Sequence, residues 1–163
     1  MGCWFEIRAL SAALLLSLAP GIAAADGAQC RDDLAILRTD GQLVNFTIEI
    51  ADDSAERAQG LMGRREMDAG AGMLFIYDRP REVAFWMHDT PLPLDMVFID
   101  PAGRVVKVAA NTTPNDDTPI PSGAPVRYVL EINAGMAARY GIAPGAELAH
   151  PSVDPAQAAF PCE

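Results

Sequence analysis

Short apolar runs separated by tight turns are the feature that most constrains how this chain can fold. The run from Leu43 to Ile50 alternates apolar and polar residues, which is typical of a strand with one face in water. Asp40-Gly41 just before it is the favoured pair for a tight hairpin. About eight such runs occur without strand–helix–strand alternation, so the sequence predicts a mostly β fold, an antiparallel sandwich or small barrel with two short helices. The predicted strands cover residues 34–37, 43–50, 73–77, 83–87, 94–99, 104–110, 126–132 and 147–149.

Two short helices are expected between these strands. Asp53 is placed to cap the first helix, and Glu56 can reach back to complete a capping box. Asn133 is predicted to cap the second helix over residues 134–140, which Gly141 ends at the C′ position.

Length and charge limit the classes of partner. The 163 residues leave room for one ordinary domain. The chain has 22 acidic residues against 12 Lys and Arg, a formal net charge of −10, and Lys107 is the only lysine. Phosphate groups are bound by clustered Lys and Arg, so nucleic acid and anionic membrane surfaces are poor partners. We expect a small polar ligand or a protein partner, neither of which the sequence identifies.

The N-terminal residues have the features of a secretory signal peptide. Arg8 supplies the positive charge, residues 9–19 are apolar, and Ala-Ala-Ala at 23–25 fits a cleavage site. The apolar stretch is shorter than the ~20 residues that span a bilayer. We therefore predict a signal peptide over 1–25 with cleavage near Ala25, a single β-domain over 26–163, and a periplasmic or secreted protein with no membrane attachment after cleavage. The alternative is an uncleaved membrane anchor.

Cleavage would remove Cys3 and leave one cysteine near each end of the mature chain. Cys30 and Cys162 form an even pair, which in an oxidising compartment indicates a disulfide. Such a bond would tie back the proline-containing tail over residues 150–163. The alternative is two free thiols on flexible ends.

A polar stretch between two apolar runs marks the candidate site. Residues 83–87 are predicted to form a buried strand, residues 88–93 contain two prolines that forbid regular pairing, and residues 94–99 form the next strand. Asp95 stands among apolar neighbours, and a carboxylate buried without a partner costs several kcal/mol. Residues 86–95, called the elbow below, are therefore the predicted site.

One long loop follows the central strands. Residues 111–125, called the covering loop below, hold several prolines and acids. Long loops in compact domains are often functional, so this one could cover the elbow. The alternative is a solvated connection.

Polar side chains of the elbow and of nearby segments could bind a small ligand. In the alternative of a hydrolase, Asp95 or Glu131 would act as the acid–base group and Arg64 as an anion clamp. A satisfied structural pair of carboxylates is the third interpretation, because structural ion pairs also involve acids. The candidate ligand-binding residues are Arg64, Trp86, Asp89, Thr90, Asp95 and Glu131.

Methionine and histidine raise the further alternative of Cu(I), which thioether and imidazole ligands suit. Met87 and His88 are the candidate ligands. Consecutive residues of a strand point to opposite faces, so Trp86 and His88 would share a face that Met87 does not. Methionine is also a common core residue, and the sequence indicates no other cofactor.

Several short motifs occur in a fixed order along the chain: Gly-Leu-Met-Gly-Arg at 60–64, Gly-Met-Leu-Phe at 72–75, Phe-Trp-Met at 85–87, Leu-Asp at 94–95 and Val-Leu-Glu at 129–131, followed by Gly135. This set resembles the bacterial and archaeal family catalogued as domain of unknown function 192, over about residues 43–148. The resemblance implies a compact, mostly β, jelly-roll-like domain that is often exported, and it implies no established activity. Members often carry Lys-Asn where this chain has His88-Asp89, so the resemblance implies no copper or acid–base role for His88.

Overall fold

The computed structural model describes residues 1–2 and 28–163. The chain is mostly β, as predicted, with two short helices and a sheet that curls into a half-barrel. The elements are β1 (Leu34–Thr39), β2 (Gln42–Ala51), α1 (Ser54–Gln59), β3 (Ala71–Arg81), β4 (Ala84–Phe85), β5 (Leu94–Ile99), β6 (Val105–Ala109), β7 (Ile120–Pro121), β8 (Val126–Asn133), α2 (Met136–Tyr140) and β9 (Glu147–Ala149).

Seven of the described strands form the main sheet, in the order β6-β5-β8-β3-β2-β1-β9. All neighbours pair antiparallel except β2 and β3, which run parallel. A parallel pair needs a crossover of a dozen or more residues, and the segment that contains α1 supplies it. The sequence did not indicate this strand–helix–strand unit, because α1 is much shorter than a usual crossover helix.

The main sheet buries side chains on both faces. One face, called the α2 face, carries Val97 of β5 and Leu130 of β8, which pack in one cluster with Ala137 of α2. The other face, called the elbow face, carries Met96 of β5 and Val129 of β8, which pack with Met87 of the elbow. Burial on both faces explains why β5 is apolar at every position except Asp95.

Both helices follow local sequence signals, with one exception. The predicted capping box at α1 is confirmed, because Asp53 accepts from the backbone N–H of Glu56 and the Glu56 side chain reaches back. Gly141 ends α2 in the left-handed conformation, as predicted. The prediction that Asn133 caps α2 is wrong: α2 begins after Gly135, and Asn133 ends β8. Its side-chain amide donates instead to the carbonyl oxygen of Met67 at 2.9 Å.

The two ends of the described domain are joined. Cys30 and Cys162 form a disulfide with their Cα atoms 5.5 Å apart, which confirms the predicted bond. Phe160 packs with Ala28 and Ile36 in a small cluster beside it. The predicted signal peptide and its cleavage site lie outside the described residues, apart from the first two positions. Across the described ranges, no helix is long and apolar enough to cross a membrane.

Candidate functional site

The elbow is held in place by the covering loop. The backbone N–H of Met87 donates to the carbonyl oxygen of Asp116 at 2.9 Å, and that of Asn115 donates to Thr90 at 3.1 Å. Thr112 adds a buried hydroxyl that donates to the carbonyl oxygen of Leu94 at 2.9 Å. Main-chain hydrogen bonds thus replace the regular pairing that the elbow prolines prevent, and the loop covers the elbow rather than forming a solvated connection.

The predicted buried strand over residues 83–87 is wrong. Only Ala84–Phe85 is a strand, and it pairs with Ile120–Pro121 of the covering loop rather than with the main sheet. Ala84 is exposed and Trp86 retains 51% of its accessible surface. The segment therefore packs over the elbow face as a separate layer. Phe85 points towards the sheet, and Trp86 points away from it.

The elbow also contacts the segment that follows α1. The backbone N–H of Gly63 donates to the carbonyl oxygen of Asp89 at 2.6 Å. Asp89 has a positive φ of 47°, a conformation that Asp and Asn adopt more readily than most residues. Its side chain is exposed, so the structure gives Asp89 a backbone role in joining the elbow to this segment.

A cleft of about 100 Å³ opens between these layers. Since one water needs about 10–15 Å³, this volume holds a few small groups, and it is well below the roughly 300–1,000 Å³ of drug-sized pockets. Its walls come from α1 and the following turn, from β3, from the β4–elbow segment and from β8. The lining residues are Arg57, Ala58, Gln59, Gly60, Leu61, Met62, Phe75, Tyr77, Ala84, Phe85, Trp86, Thr90 and Glu131.

Glu131 is the buried acid of this cleft. It lies on β8 between Met73 of β3 and Met96 of β5, and it is 4% exposed. Within the described part of the chain its carboxyl makes no hydrogen bond and no ion pair, and its oxygens are accessible from the cleft, since no fully enclosed side-chain oxygen there lacks a partner. Burial raises the pKa of Glu131 to about 8, because the charged form loses its hydration and gains no partner. The cleft therefore has an acid group that is mostly protonated at neutral pH.

Aromatic rings form one wall of the cleft. The ring of Phe85 meets Phe75 edge-on with centroids 4.9 Å apart, and it meets Phe98 edge-on at 6.0 Å. Trp86, next in sequence, lies at the cleft and packs against the exposed His88 ring with centroids 5.2 Å apart. Buried rings thus fix Phe85, while Trp86 is available to a ligand.

Arg57 is the cationic side chain in the cleft lining, and it already makes hydrogen bonds and a ring contact within the protein. Its Nη1 donates to the carbonyl oxygens of Ile76, at 2.8 Å, and of Asp52. Its guanidinium also lies over the Tyr77 ring, 5.1 Å from the centroid. Burial raises the pKa of Tyr77, so its hydroxyl stays neutral around physiological pH.

Asp95 lies outside this cleft, on the α2 face. Its Oδ1 accepts from the backbone N–H of Asn111 and its Oδ2 from that of Ala137, both at 2.8 Å. The side chain is fully buried, and its carboxylate supplies the α2 N–H group with the acceptor that Asn133 was expected to provide. Asp95 is thus a structural acceptor.

Arg64 also lies outside the cleft. It forms a bidentate ion pair with Glu49 of β2, in which Nη2 of Arg64 lies 2.9 Å from Oε2 of Glu49. This contact raises the pKa of Arg64 and lowers the pKa of Glu49. The pair is largely exposed, so it stabilises the fold only weakly.

Met87 and His88 point in different directions, as predicted, although neither lies in a strand. Met87 is buried, and its sulfur lies 3.1 Å from the hydroxyl oxygen of Thr112. His88 is exposed and its Nδ1 lies 2.7 Å from Oδ1 of Asp117. The structure does not bring the two candidate copper ligands together. Among the described residues, no group of three His, Cys, Asp or Glu side chains is placed to hold a metal ion.

Of the candidate residues, the structure brings together Trp86, Thr90 and Glu131 at the cleft. Sequence reasoning missed Arg57, Tyr77 and the inward-facing Phe85. Phe85 carried a usable signal, because it neighbours Trp86 and the two must face opposite ways. The sequence held no comparable signal for Arg57 and Tyr77, because they meet only through the parallel pairing of β2 with β3, which brings α1 beside β3.

The fold and the site define a class: a small, curled-sheet β-domain with a compact cleft beneath an elbow. The chain belongs to the DUF192 family, described as "Uncharacterized ACR", whose profile matches residues 35–150.

Two solved structures support this assignment. A protein from Sinorhizobium meliloti 1021, described as a proposed transcription regulator, is 41% identical, with a TM-score of 0.70 over 74% of this chain and 94% of the other. A protein of unknown function from Novosphingobium aromaticivorans DSM 12444 is 39% identical, with a TM-score of 0.69 over 81% of this chain and 93% of the other. The comparison with curated proteins gives no match.

Proposed function

We propose that this chain is a small-ligand-binding module and that its binding site is the cleft beneath the elbow. The observation that carries the proposal is Glu131, a buried acid at the wall of a cleft whose carboxyl has no hydrogen-bond partner among the described residues. Among the described residues no fully enclosed side-chain oxygen lacks a partner, so the oxygens of the Glu131 carboxyl are accessible from the cleft, where water or a ligand can pair with them. A bound ligand would supply that partner.

The shape of the site favours a ligand over a protein partner. The cleft is concave, and it combines aromatic walls with polar and charged side chains that can orient a small molecule. Protein interfaces use larger and flatter exposed patches. Trp86 is the large exposed aromatic side chain at the cleft, and it is too small a patch to hold a protein alone.

The hydrolase alternative is not carried into the proposal. It requires Asp95 or Glu131 beside Arg64 as the anion clamp. Asp95 has both oxygens engaged by backbone N–H groups on the α2 face, and Arg64 pairs with Glu49 outside the cleft that Glu131 lines. A nucleic-acid ligand is not proposed either, although one relative is described as a regulator of transcription. The net charge of −10 opposes binding to phosphate.

We further propose that the domain acts outside the cytoplasm, in the periplasm or as a secreted protein. The disulfide supports this, because such bonds persist in oxidising compartments. The signal-like sequence over residues 1–25 supports it independently. N-terminal sequencing of the exported protein should give Asp26 as the first residue, and a chain that retains residues 1–25 in the cytoplasmic fraction would contradict the proposal.

Thermal unfolding of the full chain with a panel of small ligands tests the binding proposal. A ligand that binds only the native state stabilises it by about 2.7 kcal/mol at a free concentration 100 times its Kd. The variant Ala84→Phe adds a ring at an exposed cleft position and should abolish the rise in Tm. The matched control is Ala138→Phe, at an exposed position of α2, which should retain it.

The same Tm rise in the Ala84→Phe variant would place the binding site elsewhere. The absence of any saturable rise across sugars, organic acids, amines and amides would overturn the small-ligand proposal.

A further inference from the structure

We propose that the cleft takes a small organic cation, a primary ammonium on a short alkyl stem, with Glu131 as its counter-ion. This inference rests on the proposed function, since it names the class of ligand for the same cleft. It follows from the acceptor the cleft offers, from the rings around it, from its size and from the absence of competing ligands for a metal ion.

The acceptor is the first argument. Glu131 is 4% exposed, and its carboxyl oxygens, which are accessible from the cleft, have no hydrogen-bond partner among the described residues. An ammonium group carries three donors and no acceptor, so it matches an unused carboxylate. A charge-assisted hydrogen bond of this kind is roughly twice as strong as a neutral one.

The rings are the second argument. Trp86, Phe85 and Phe75 line the cleft, and the faces of aromatic rings attract cations at distances within about 6 Å of the centroid. Tyr77 already shows this preference, because the guanidinium groups of Arg57 and Arg81 lie 5.1 Å and 5.9 Å from its ring centroid. Aromatic walls also suit the alkyl stem of an amine.

Arg57 is the group in the cleft that would favour an anionic ligand, but its guanidinium is already held by other contacts. Its Nη1 donates to the carbonyl oxygens of Asp52 and Ile76, and its guanidinium covers Tyr77. An anion would have to compete for this arginine while Glu131 stayed unpartnered beside it. A cation uses Glu131 and leaves the contacts of Arg57 intact.

A metal ion is the competing cation, and the cleft lacks the ligands for it. Hard and borderline metals take four or more oxygen, nitrogen or thiolate ligands. No group of three His, Cys, Asp or Glu side chains suited to a metal exists in the described ranges. One carboxylate with aromatic neighbours fits an organic ion, and the cleft of about 100 Å³ limits it to a few non-hydrogen atoms or to the end of a longer amine.

Binding has a proton signature, because the empty cleft holds Glu131 mostly protonated at pH 7. When the ammonium enters, the carboxyl releases its proton to the buffer and the resulting carboxylate pairs with the cation. The titratable or charged groups that share the cleft with Glu131 are Tyr77 and Arg57, and burial raises the pKa of Tyr77, so its hydroxyl keeps its proton in this range. Binding should therefore release close to one proton per site at pH 7, and affinity should rise about tenfold per pH unit from pH 6 to pH 7.5.

Calorimetric titration of the full chain tests this inference with three probes of matched length, n-propylamine, n-propanol and sodium propionate. Titrations at pH 7 in phosphate and in MOPS, neither of which carries a primary amine, at equal ionic strength give the number of protons released from the difference in enthalpy. We expect saturable binding of n-propylamine with proton release, and at least tenfold weaker binding of the alcohol and the acid.

Glu131→Gln is the decisive variant, since it keeps the shape of the side chain and removes the titrating group. It should weaken n-propylamine binding at least tenfold and abolish the proton release. Glu66→Gln, which neutralises an exposed acid, should do neither. Circular dichroism of both variants confirms that they are folded before they are titrated.

The remaining outcomes separate the inference from the proposed function. Binding of n-propanol or propionate that Ala84→Phe abolishes would keep the cleft as a ligand site and overturn the ammonium class. Binding of n-propylamine without proton release, or unchanged in Glu131→Gln, would overturn the role of Glu131. If none of the probes and no member of the wider panel binds, both the inference and the proposed function fail.

Discussion

Asp95 and Glu131 lie on neighbouring strands, one position apart in register, and their side chains occupy opposite faces of the sheet. Glu131 pairs with Met96 of β5, and Asp95 pairs with Ile132 of β8. The Asp95 side chain accepts two backbone hydrogen bonds, and the Glu131 carboxyl accepts none from the described residues. One face thus uses a carboxylate to hold a helix and a loop, and the other leaves a carboxyl free at a cleft.

Replacing Asp95 with Asn should destabilise the fold. The amide can accept one of the two N–H groups of Asn111 and Ala137, and its own NH₂ would meet the other. An unsatisfied buried group costs about 1–3 kcal/mol, more where a charged acceptor is lost, so we expect a loss of about 2–4 kcal/mol. Urea unfolding of the full chain measures it.

The matched control is Asp100→Asn. Asp100 uses one oxygen, Oδ1, to accept from the N–H groups of Ala102 and Arg104 in a turn, and an amide oxygen can do the same. The free energy of unfolding of this variant should fall by less than about 1 kcal/mol. Equal losses at Asp95 and Asp100 would contradict the assignment of Asp95 as a buried acceptor of two separate hydrogen bonds.

Glu131 should make the folded state less stable as pH rises. Its pKa is about 8 in the fold against 4.5 for an ordinary glutamate, so the native state binds more protons between these values. The contribution of Glu131 to the free energy of unfolding is therefore fully present below about pH 4.5. It is lost as pH rises towards 8, at about 1.4 kcal/mol per pKa unit. Glu131→Gln should remove this part of the pH profile, which urea unfolding at pH 5, 6.5 and 8 measures.

The difference between the two profiles is the test, because other groups titrate in the same range. Above pH 8 the Gln variant should be more stable than the natural chain by a few kcal/mol. Parallel profiles would mean that the carboxyl of Glu131 is solvated or paired in solution.

His150 should act in the opposite direction, at acid pH. It is buried, its Nε2 donates to the carbonyl oxygen of Asp32 at 3.1 Å, and its Nδ1 accepts from the N–H of Ser152 at 3.1 Å. Burial lowers the pKa of His150 below 6.5, so the unfolded chain takes up a proton first as pH falls. The free energy of unfolding should therefore decrease as pH falls below about 6.5, and His150→Gln should reduce this decrease.

His88→Gln is the control for that experiment. His88 is exposed and lies against Asp117, so this variant removes a histidine without disturbing the core, and the loss of stability at acid pH that buried His150 causes should remain. An unchanged decrease in His150→Gln would show that another group causes the loss.

The disulfide should contribute strongly to stability. It joins residues separated by 132 positions, and the chain-entropy estimate for a loop of that length is about 4–5 kcal/mol. Cys30→Ser with Cys162→Ser should lower the free energy of unfolding by about 2–5 kcal/mol in guanidinium titrations. The natural chain treated with a reductant should match the double variant, and a loss below 1 kcal/mol would show that the ends are held by other contacts.

Much of the fold could be predicted from local signals. Alternation located β2, the Asp53 and Glu56 pair located α1, and the spacing of Cys30 and Cys162 predicted the bond between the ends. These features depend on residues close in sequence or on a single chemical pair. The segment over residues 83–87 was misread because an apolar run looks the same in a buried strand and in a layer that packs over a sheet.

The site was harder to predict, because it depends on which faces and strands come together. Asp95 and Glu131 looked equivalent, since both are acids among apolar residues. Their separation follows from the register of β5 with β8, which the sequence does not state. Arg57 and Tyr77 reach the cleft only through the parallel pairing of β2 and β3.

The bond between Cys30 and Cys162 turns nearly the whole domain into a covalent ring. A protease that cuts one peptide bond anywhere inside this ring, for example in the covering loop, opens it without releasing a fragment. The two pieces stay one molecule of unchanged mass apart from the added water, and they separate only on reduction. A domain built this way can survive a single cut in a compartment rich in proteases, with its sheet held together by its own ends.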